Sequence, residues 1–217
     1  EGVRNFRDFG GYASAHGGRV RADRLFRSGH YAEATADDVA AVEALGITFQ
    51  VALRRPDERE RMSAKWNAPN LVTNADGRET EAPHQRILQR VAASAETAAL
   101  FRDWFKGLAT TDGAVLVNCA AGKDRTGIIC ALTHHVLGVS EDDIVADYEL
   151  TNEAADVDER LPEATEYFNN MLGTTYDADV YRPFLGVRAR YLETALASIR
   201  KESGSVDAYL ADTLGVD

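Results

Sequence analysis

The residues of this chain best equipped for chemistry stand in one run, Asn118-Cys119-Ala120-Ala121-Gly122-Lys123-Asp124-Arg125-Thr126-Gly127. Cys119 offers a thiolate, a good nucleophile towards phosphorus, so a covalent phosphocysteine is within its reach. Arg125 follows six positions later. Its planar fork can hold two phosphoryl oxygens, in the transition state as well as the ground state. The intervening Ala120, Ala121, Gly122, Lys123 and Asp124 are enough backbone to wrap a phosphate-sized oxyanion, with the sulfur below and the guanidinium closing over. Thr126 adds a hydroxyl that can donate to the sulfur and help it leave during hydrolysis. Capping a helix is its ordinary alternative.

Such a loop works only if its flanks aim it. Ala114-Val115-Leu116-Val117 after Gly113 is a short apolar run that predicts a buried strand. Ile128 to Leu137 is long and apolar enough for a helix packed against a sheet. Strand, tight loop and helix together point backbone amides at the helix N-terminus, a place that favours an anion. A thiol there, beside Lys123 and Arg125, gives up its proton more readily than a free one. A nucleotide-binding P-loop is a different pattern, needing Gly, four residues, then Gly-Lys-Ser/Thr. Here Asp124 follows Gly122-Lys123 and Val117 stands at the first glycine position, so that pattern fails. A buried structural cysteine is the plain alternative, but core packing does not require the Gly-Lys-Asp-Arg tail.

The run resembles the signature loop of the cysteine-dependent phosphatases, in the form His-Cys-x-x-Gly-Lys-Asp-Arg-Thr-Gly. That form marks the bacterial tyrosine/serine protein phosphatases, some of which also act on phosphoinositides. Asn5-Phe6-Arg7-Asp8-Phe9-Gly10-Gly11-Tyr12 is similar to that family's N-terminal motif and Arg27-Ser28-Gly29 to its next one. Glu141-Asp142-Asp143-Ile144 with Asp147-Tyr148 and Leu150-Thr151-Asn152 resembles the segment after the loop. Gly204-Ser205-Val206, Tyr209-Leu210 and Leu214-Gly215 resemble the C-terminus. The likeness therefore spans nearly the whole chain and implies phosphate monoester hydrolysis without metal or cofactor. The expected substrate is a phosphorylated protein, with a phosphoinositide or inositol polyphosphate as the alternative. A catalytically weak phosphate-binding module is a third reading, because Asn118 stands where the family usually has His. Ala52 likewise precedes Leu53-Arg54 where the family often has Asp.

A leaving alkoxide or phenol needs a proton from a carboxyl group within reach. There is no Trp-Pro-Asp sequence, and between Asp76 and Asp103 the only acids are Glu79, Glu81 and Glu96. Asp112 precedes the strand, at the wrong end of the sheet. Asp124, inside the loop, is the acid that the resemblance favours. Asp76, after a strand, is the runner-up. Lys123 adds charge at the mouth, suited to substrates with several phosphates or to general phosphate attraction. Arg54 ends an apolar strand, Ile47 to Leu53, on the side where open α/β sheets take ligands. It is a candidate substrate contact, weighed against a salt bridge to Asp57 or Glu58.

The whole chain has 217 residues, 45% of them hydrophobic, enough for one domain with a real core. It carries 24 basic and 35 acidic residues, a formal charge of −11, which argues against nucleic acid as a partner. Two cysteines, Cys119 and Cys130, suit a reducing compartment rather than a disulfide. No apolar run reaches the length of a membrane span. A cytoplasmic setting is expected, with secretion the alternative because the chain begins at Glu1 without a methionine. The histidines and acids show no metal-ligand spacing. Oligomeric state is left open.

Element patterns predict an α/β fold: a central, mainly parallel sheet of four or five strands flanked by helices. Thr35 opens a helix that Gly46 ends. Asp57 to Lys65 reads as a charged, solvated helix, and Leu71 to Thr73 as a strand. Ala95 to Leu108 carries an apolar stripe at helical spacing. Arg4, Arg7, Arg21, Arg24 and Arg27 read mostly as a solvated hairpin with salt bridges, a phosphate-facing rim being the alternative. Residues 78 to 95 have no clear pattern. Residues 156 to 190 are helical with several aromatics, read either as a lid over the pocket or as an ordinary helical layer within a single domain, 1–217.

Overall fold

The computed structural model describes residues 2–73 and 94–216. Among the described residues five strands form one sheet in the order β1-β2-β5-β3-β4. They are β1 (Arg7–Asp8), β2 (Leu25–Ser28), β3 (Ile47–Ala52), β4 (Asn70–Thr73) and β5 (Ala114–Asn118). Only β1 runs antiparallel to its neighbour. The expected mainly parallel α/β sheet is present. Ser28 and Ala52 both pair in register with Asn118, and Thr73 pairs with Ala52. The segments that follow β2, β3 and β5 therefore leave from one edge of the sheet.

Strand alternation decides the two cores. From β5, Val115 and Val117 enter a core with Phe9, Phe101, Trp104, Ile129 and Leu132, whereas Ala114 and Leu116 face Phe26, Tyr31, Ile47 and Trp66. The first core is roofed by α3 (Ala95–Thr110), α4 (Asp124–Val136) and α9 (Ala189–Ser203), the second partly by α1 (Ala36–Ala44). Thr35 and Asp38 close α1 with a reciprocal capping box. Helix α4 is buried without interruption from Thr126 to His134, as a helix pinned between sheet and further helices must be. Trp104 fits this packing because its indole N–H finds Thr133 Oγ1 at 2.9 Å.

The remaining described elements are helical: α2 (Pro56–Arg61), α5 (Glu141–Glu149), α6 (Thr151–Ala154), α7 (Val157–Leu172), α8 (Ala178–Leu185), α10 (Val206–Ala208) and a π-helical turn, Tyr209–Leu214. Helices α7 and α8 pack on each other as a hairpin. Tyr181 is buried there, stacked on Phe168, while Tyr167, Met171, Leu172, Tyr176, Val180 and Phe184 are exposed. Of the two adjacent histidines, His134 is buried and bonded to the Phe9 carbonyl, and His135 meets Asp207 near the surface. Among the described residues no helix is long and apolar enough to cross a membrane, and no His/Cys/Asp/Glu group could hold a metal.

Candidate active site

The loop from Cys119 to Lys123 hangs between the end of β5 and the start of α4. Gly122 makes its sharpest turn at φ +70°; a Cβ there would lie 2.5 Å from the Ser28 carbonyl, so only glycine fits. The turn brings Gly122 N–H to 3.2 Å from Cys119 Sγ, an amide donating to the sulfur. Cys119 is 2% exposed, at the floor of the loop. Cys130, deeper in α4, is fully buried, and burial pushes its thiol up to about 12, leaving it protonated and inert. The two cysteines of the sequence are thus separated by environment.

Arg125 sits in the first turn of α4. Its Nη1 donates to the Leu53 carbonyl at 2.7 Å and to Glu58 Oε2 at 2.8 Å, and its Nη2 donates to Glu58 Oε1 at 2.8 Å. The guanidinium is therefore held in one direction by a two-pronged carboxylate and a carbonyl. Burial pushes Glu58 towards protonation, but the hydrogen bonds and charge of Arg125, together with Arg55, outweigh it and keep the carboxyl below its ordinary value. Helix α2 is therefore not the wholly solvated face that its charge run predicts: Glu58 turns inward and is buried. Glu58 was not among the site residues read from the sequence. Its only local signal is position, one turn past the C-terminal end of a buried strand.

Arg54 is buried beside this pair, with Nη2 donating to the carbonyls of Glu58 and Met62. It meets Glu58 through the backbone rather than through the carboxylate. Asp124 opens α4, largely buried, with Oδ2 3.9 Å from Lys123 Nζ. Tyr148 lies nearby: burial first, and the Asp124 charge second, push its hydroxyl well above the ordinary tyrosine range. Thr126 is the third residue of α4 rather than its cap; its hydroxyl is buried and makes no hydrogen bond among the described residues. Asp76 lies outside the described residues.

Lys123 is placed differently from the expectation of a cation at the mouth. It is buried, and its Nζ donates to the carbonyls of Pro183, Phe184 and Gly186 at 3.1, 2.9 and 3.1 Å. A lysine on the last carbonyls of a helix is a favourable cap. Burial lowers its pKa, with Asp124 pulling the other way. The loop thus carries the α7–α8 hairpin. Asn118, where a histidine was the expected residue, accepts from Gln50 Nε2 at 3.0 Å and donates to the Gly29 carbonyl at 3.3 Å, tying β5 to β3 and to the turn after β2.

A sulfur under an amide, a fixed guanidinium and a carboxyl at a helix N-terminus can together bind a phosphoryl group and exchange it with a thiolate. Comparison with known proteins agrees with this chemistry. A family model described as the tyrosine phosphatase family matches residues 1–217. The chain belongs to the tyrosine phosphatase family. Within it, a Cupriavidus necator protein assigned to the tyrosine-protein phosphatases is 34% identical over 99% of this chain and 83% of its own length. The triple specificity protein phosphatase PtpB of Mycobacterium tuberculosis is 27% identical over 97% of this chain and 91% of its own. A tyrosine-protein phosphatase of Nostoc commune is 28% identical over 88% and 69%. As a member of the family, the chain is a cysteine-dependent phosphatase.

Proposed function

We propose that this chain removes phosphate from phosphorylated protein, phosphotyrosine first, through a phosphocysteine intermediate. Cys119 Sγ attacks phosphorus. The bond from phosphorus to the tyrosyl oxygen breaks, and Asp124 gives that oxygen its proton. Water then attacks the phosphocysteine, Asp124 takes the proton back, and the thiolate leaves with inorganic phosphate released. Arg125 and the amides of Ala120 to Thr126 hold the equatorial oxygens throughout. Thr126 Oγ1 donates to the departing sulfur. The reading rests on one observation: the sulfur lies under the Gly122 amide while Glu58 fixes the arginine six residues on.

The test is a burst experiment with an activated aryl phosphate. Wild type should release a stoichiometric burst of phenol, and Cys119→Ser should release none. Turnover that survives Cys119→Ser would end the reading, and binding of phosphate without any turnover would leave a binding module.

A substrate with more than one anionic group is the second reading, and a cavity of about 230 Å³ favours it. Ala120 and Ala121 form one wall, and Arg4, His30 and Arg160 face it, with Glu33 the only acid in the lining among the described residues. Burial first, and Arg4 second, lower the pKa of Arg160, with Asp156, Glu33 and Glu163 pulling the other way, and Arg4 pairs with Glu33 at 3.4 Å. Two arginines against one lining carboxylate suit a phosphoinositide headgroup. The ratio of activity on a phosphotyrosine peptide to that on a phosphoinositide separates the two, and Arg160→Ala should lower only the second. Leu185 at the end of the hairpin also lines this cavity, which supports the hairpin as a border of the substrate's approach.

A further inference from the structure

The most heavily buried charge among the described residues, Arg27, plays no part in the chemistry above. Arg27, on β2, has no solvent exposure, and its Nη1 meets Asp147 Oδ2 at 2.7 Å. Asp147 is held in turn by the Tyr12 hydroxyl at 3.4 Å and by Arg7 Nε at 3.6 Å, while Arg7 Nη2 donates to the Asp147 carbonyl at 2.8 Å. A buried ion pair roughly breaks even against well-packed apolar residues, so stability alone is a weak reason to build this one. The cluster does have an outlet. Arg27 Nη2 donates to the Gly122 carbonyl at 3.1 Å.

Asn5 reaches the same peptide. It is fully buried, in the left-handed region at φ 57°, and its Nδ2 donates to the Gly122 carbonyl at 2.7 Å and towards the Ala121 carbonyl at 3.4 Å. Arg7 Nη1 donates to Asn5 Oδ1, which fixes which way the amide faces. One step earlier in the loop, the Ala120 carbonyl accepts from His30 N–H at 3.1 Å. Three consecutive loop carbonyls are thus drawn outward.

In a trans peptide the carbonyl and the following N–H point opposite ways. Drawing out the carbonyls of Ala120, Ala121 and Gly122 turns the N–H groups of Ala121, Gly122 and Lys123 inward. The observed contact from Gly122 N–H to Cys119 Sγ is the middle member of that set. A carbonyl that flipped inward would set a negative dipole where the phosphate belongs. A guanidinium on the outer oxygen also polarises the peptide, which makes its inward N–H a stronger donor.

We infer that Asn5 and Arg27, the latter braced by Asp147, are positioning residues that hold the phosphate loop with its amides facing the sulfur. The N-terminal motif acts on catalysis from behind the loop, without touching substrate. This rests on the reading of Cys119 to Arg125 as the phosphate site.

The test uses Asn5→Gly, which keeps the left-handed backbone cheap, and the isosteric Asn5→Asp, which turns a donor into an acceptor facing the same carbonyls. Each is measured for melting temperature, kcat and KM with an activated aryl phosphate, and competitive inhibition by orthovanadate. The expected result is a cooperative melt with kcat lowered about 10- to 100-fold and the vanadate inhibition constant raised about 10-fold, Asn5→Asp being the worse. Arg27→Lys should keep the ion pair but lose the bond to Gly122, and its loss should be less than additive with Asn5→Gly. Variants that melt lower yet keep kcat and vanadate inhibition within twofold of wild type would make the cluster structural only and overturn the inference. Asn5 variants that do not fold at all would overturn it too, since the side chain would then be serving the fold. A wild-type chain that neither turns over the aryl phosphate nor is inhibited by vanadate would instead sink the reading of the loop itself.

Discussion

Arg125 and Glu58 meet fork to fork, two N–H···O bonds of 2.8 Å each, across 67 residues of sequence. The carboxylate does to the arginine what a rotamer alone cannot: it fixes the plane that must lie over a phosphoryl group. Removing it as Glu58→Ala should lower kcat/KM on the order of 100-fold, the scale of a 1 Å misplacement. Stability should fall by about 1–3 kcal/mol, because a buried charged donor loses its partner. Steady-state kinetics beside a thermal melt reads both. Retention of full kcat/KM would show that Leu53 alone holds the guanidinium.

The same pair gives a pH signature. Glu58 titrates below its ordinary value when folded. Its contribution is complete above that ordinary value and drains away as pH falls through the folded one. Wild type should therefore lose stability on acidification below about pH 4.5 more steeply than Glu58→Gln, which has no such proton to gain. Parallel melting curves between pH 6 and pH 3 test this, and identical slopes would refute it.

Asp124→Asn should separate substrates by leaving group. If Asp124 protonates the leaving oxygen, its loss costs about 10²–10⁴ in kcat on a phosphotyrosine peptide. An activated aryl phosphate leaves without help and should lose far less. Equal losses on both would move the proton donor elsewhere, with Asp76 next in line.

Some of this was legible in the sequence and some was not, for a common reason. The strand, loop and helix around Cys119 are local, and periodicity and composition read them correctly. Thr35 announces its helix through a cap that closes within three residues. Glu58 and Arg27 are different. Each lies in a segment whose local pattern reads as solvated charge, and each finds its partner across a large gap, 67 residues to Arg125 and 120 to Asp147. Charge composition cannot tell a surface pair from a buried one, because burial is decided by which strands become neighbours. Lys123 failed in the same way: its carbonyl partners lie 60 to 63 residues on, in a hairpin whose docking no local pattern records.

Lys123→Met should free that hairpin. Three carbonyls at the end of α8 would lose their donor, each costing about 1–3 kcal/mol if it stays buried. Opening the hairpin is the easier escape. Limited proteolysis should then cut first between residues 157 and 188, faster than in wild type, while the sheet stays intact. An unchanged cleavage pattern would mean that α7 and α8 are held by their packing on the rest of the chain and not by the lysine.

Gly127 makes the last prediction, since its reason is contact rather than backbone. A Cβ on it would come within 2.5 and 2.6 Å of the Tyr148 ring and 3.6 Å of Arg27 Nη2. Tyr148 is almost wholly buried, so the ring cannot yield without moving α5. Overpacking of this kind costs about 1–3 kcal/mol, offset by about 1 kcal/mol of helix propensity gained over glycine. Gly127→Ala should therefore be destabilising by up to about 2 kcal/mol, or up to about 8 °C in melting temperature at the 2–4 °C per kcal/mol of a domain this size. It should also lower activity, because the strain falls on the first turn of the helix that carries Arg125. The decisive variant is the double, Gly127→Ala with Tyr148→Ala. If the clash is the cause, the alanine at 127 costs nothing further once the ring is gone, and the two changes are strongly non-additive. Simple additivity would place the cost of Gly127→Ala somewhere other than Tyr148.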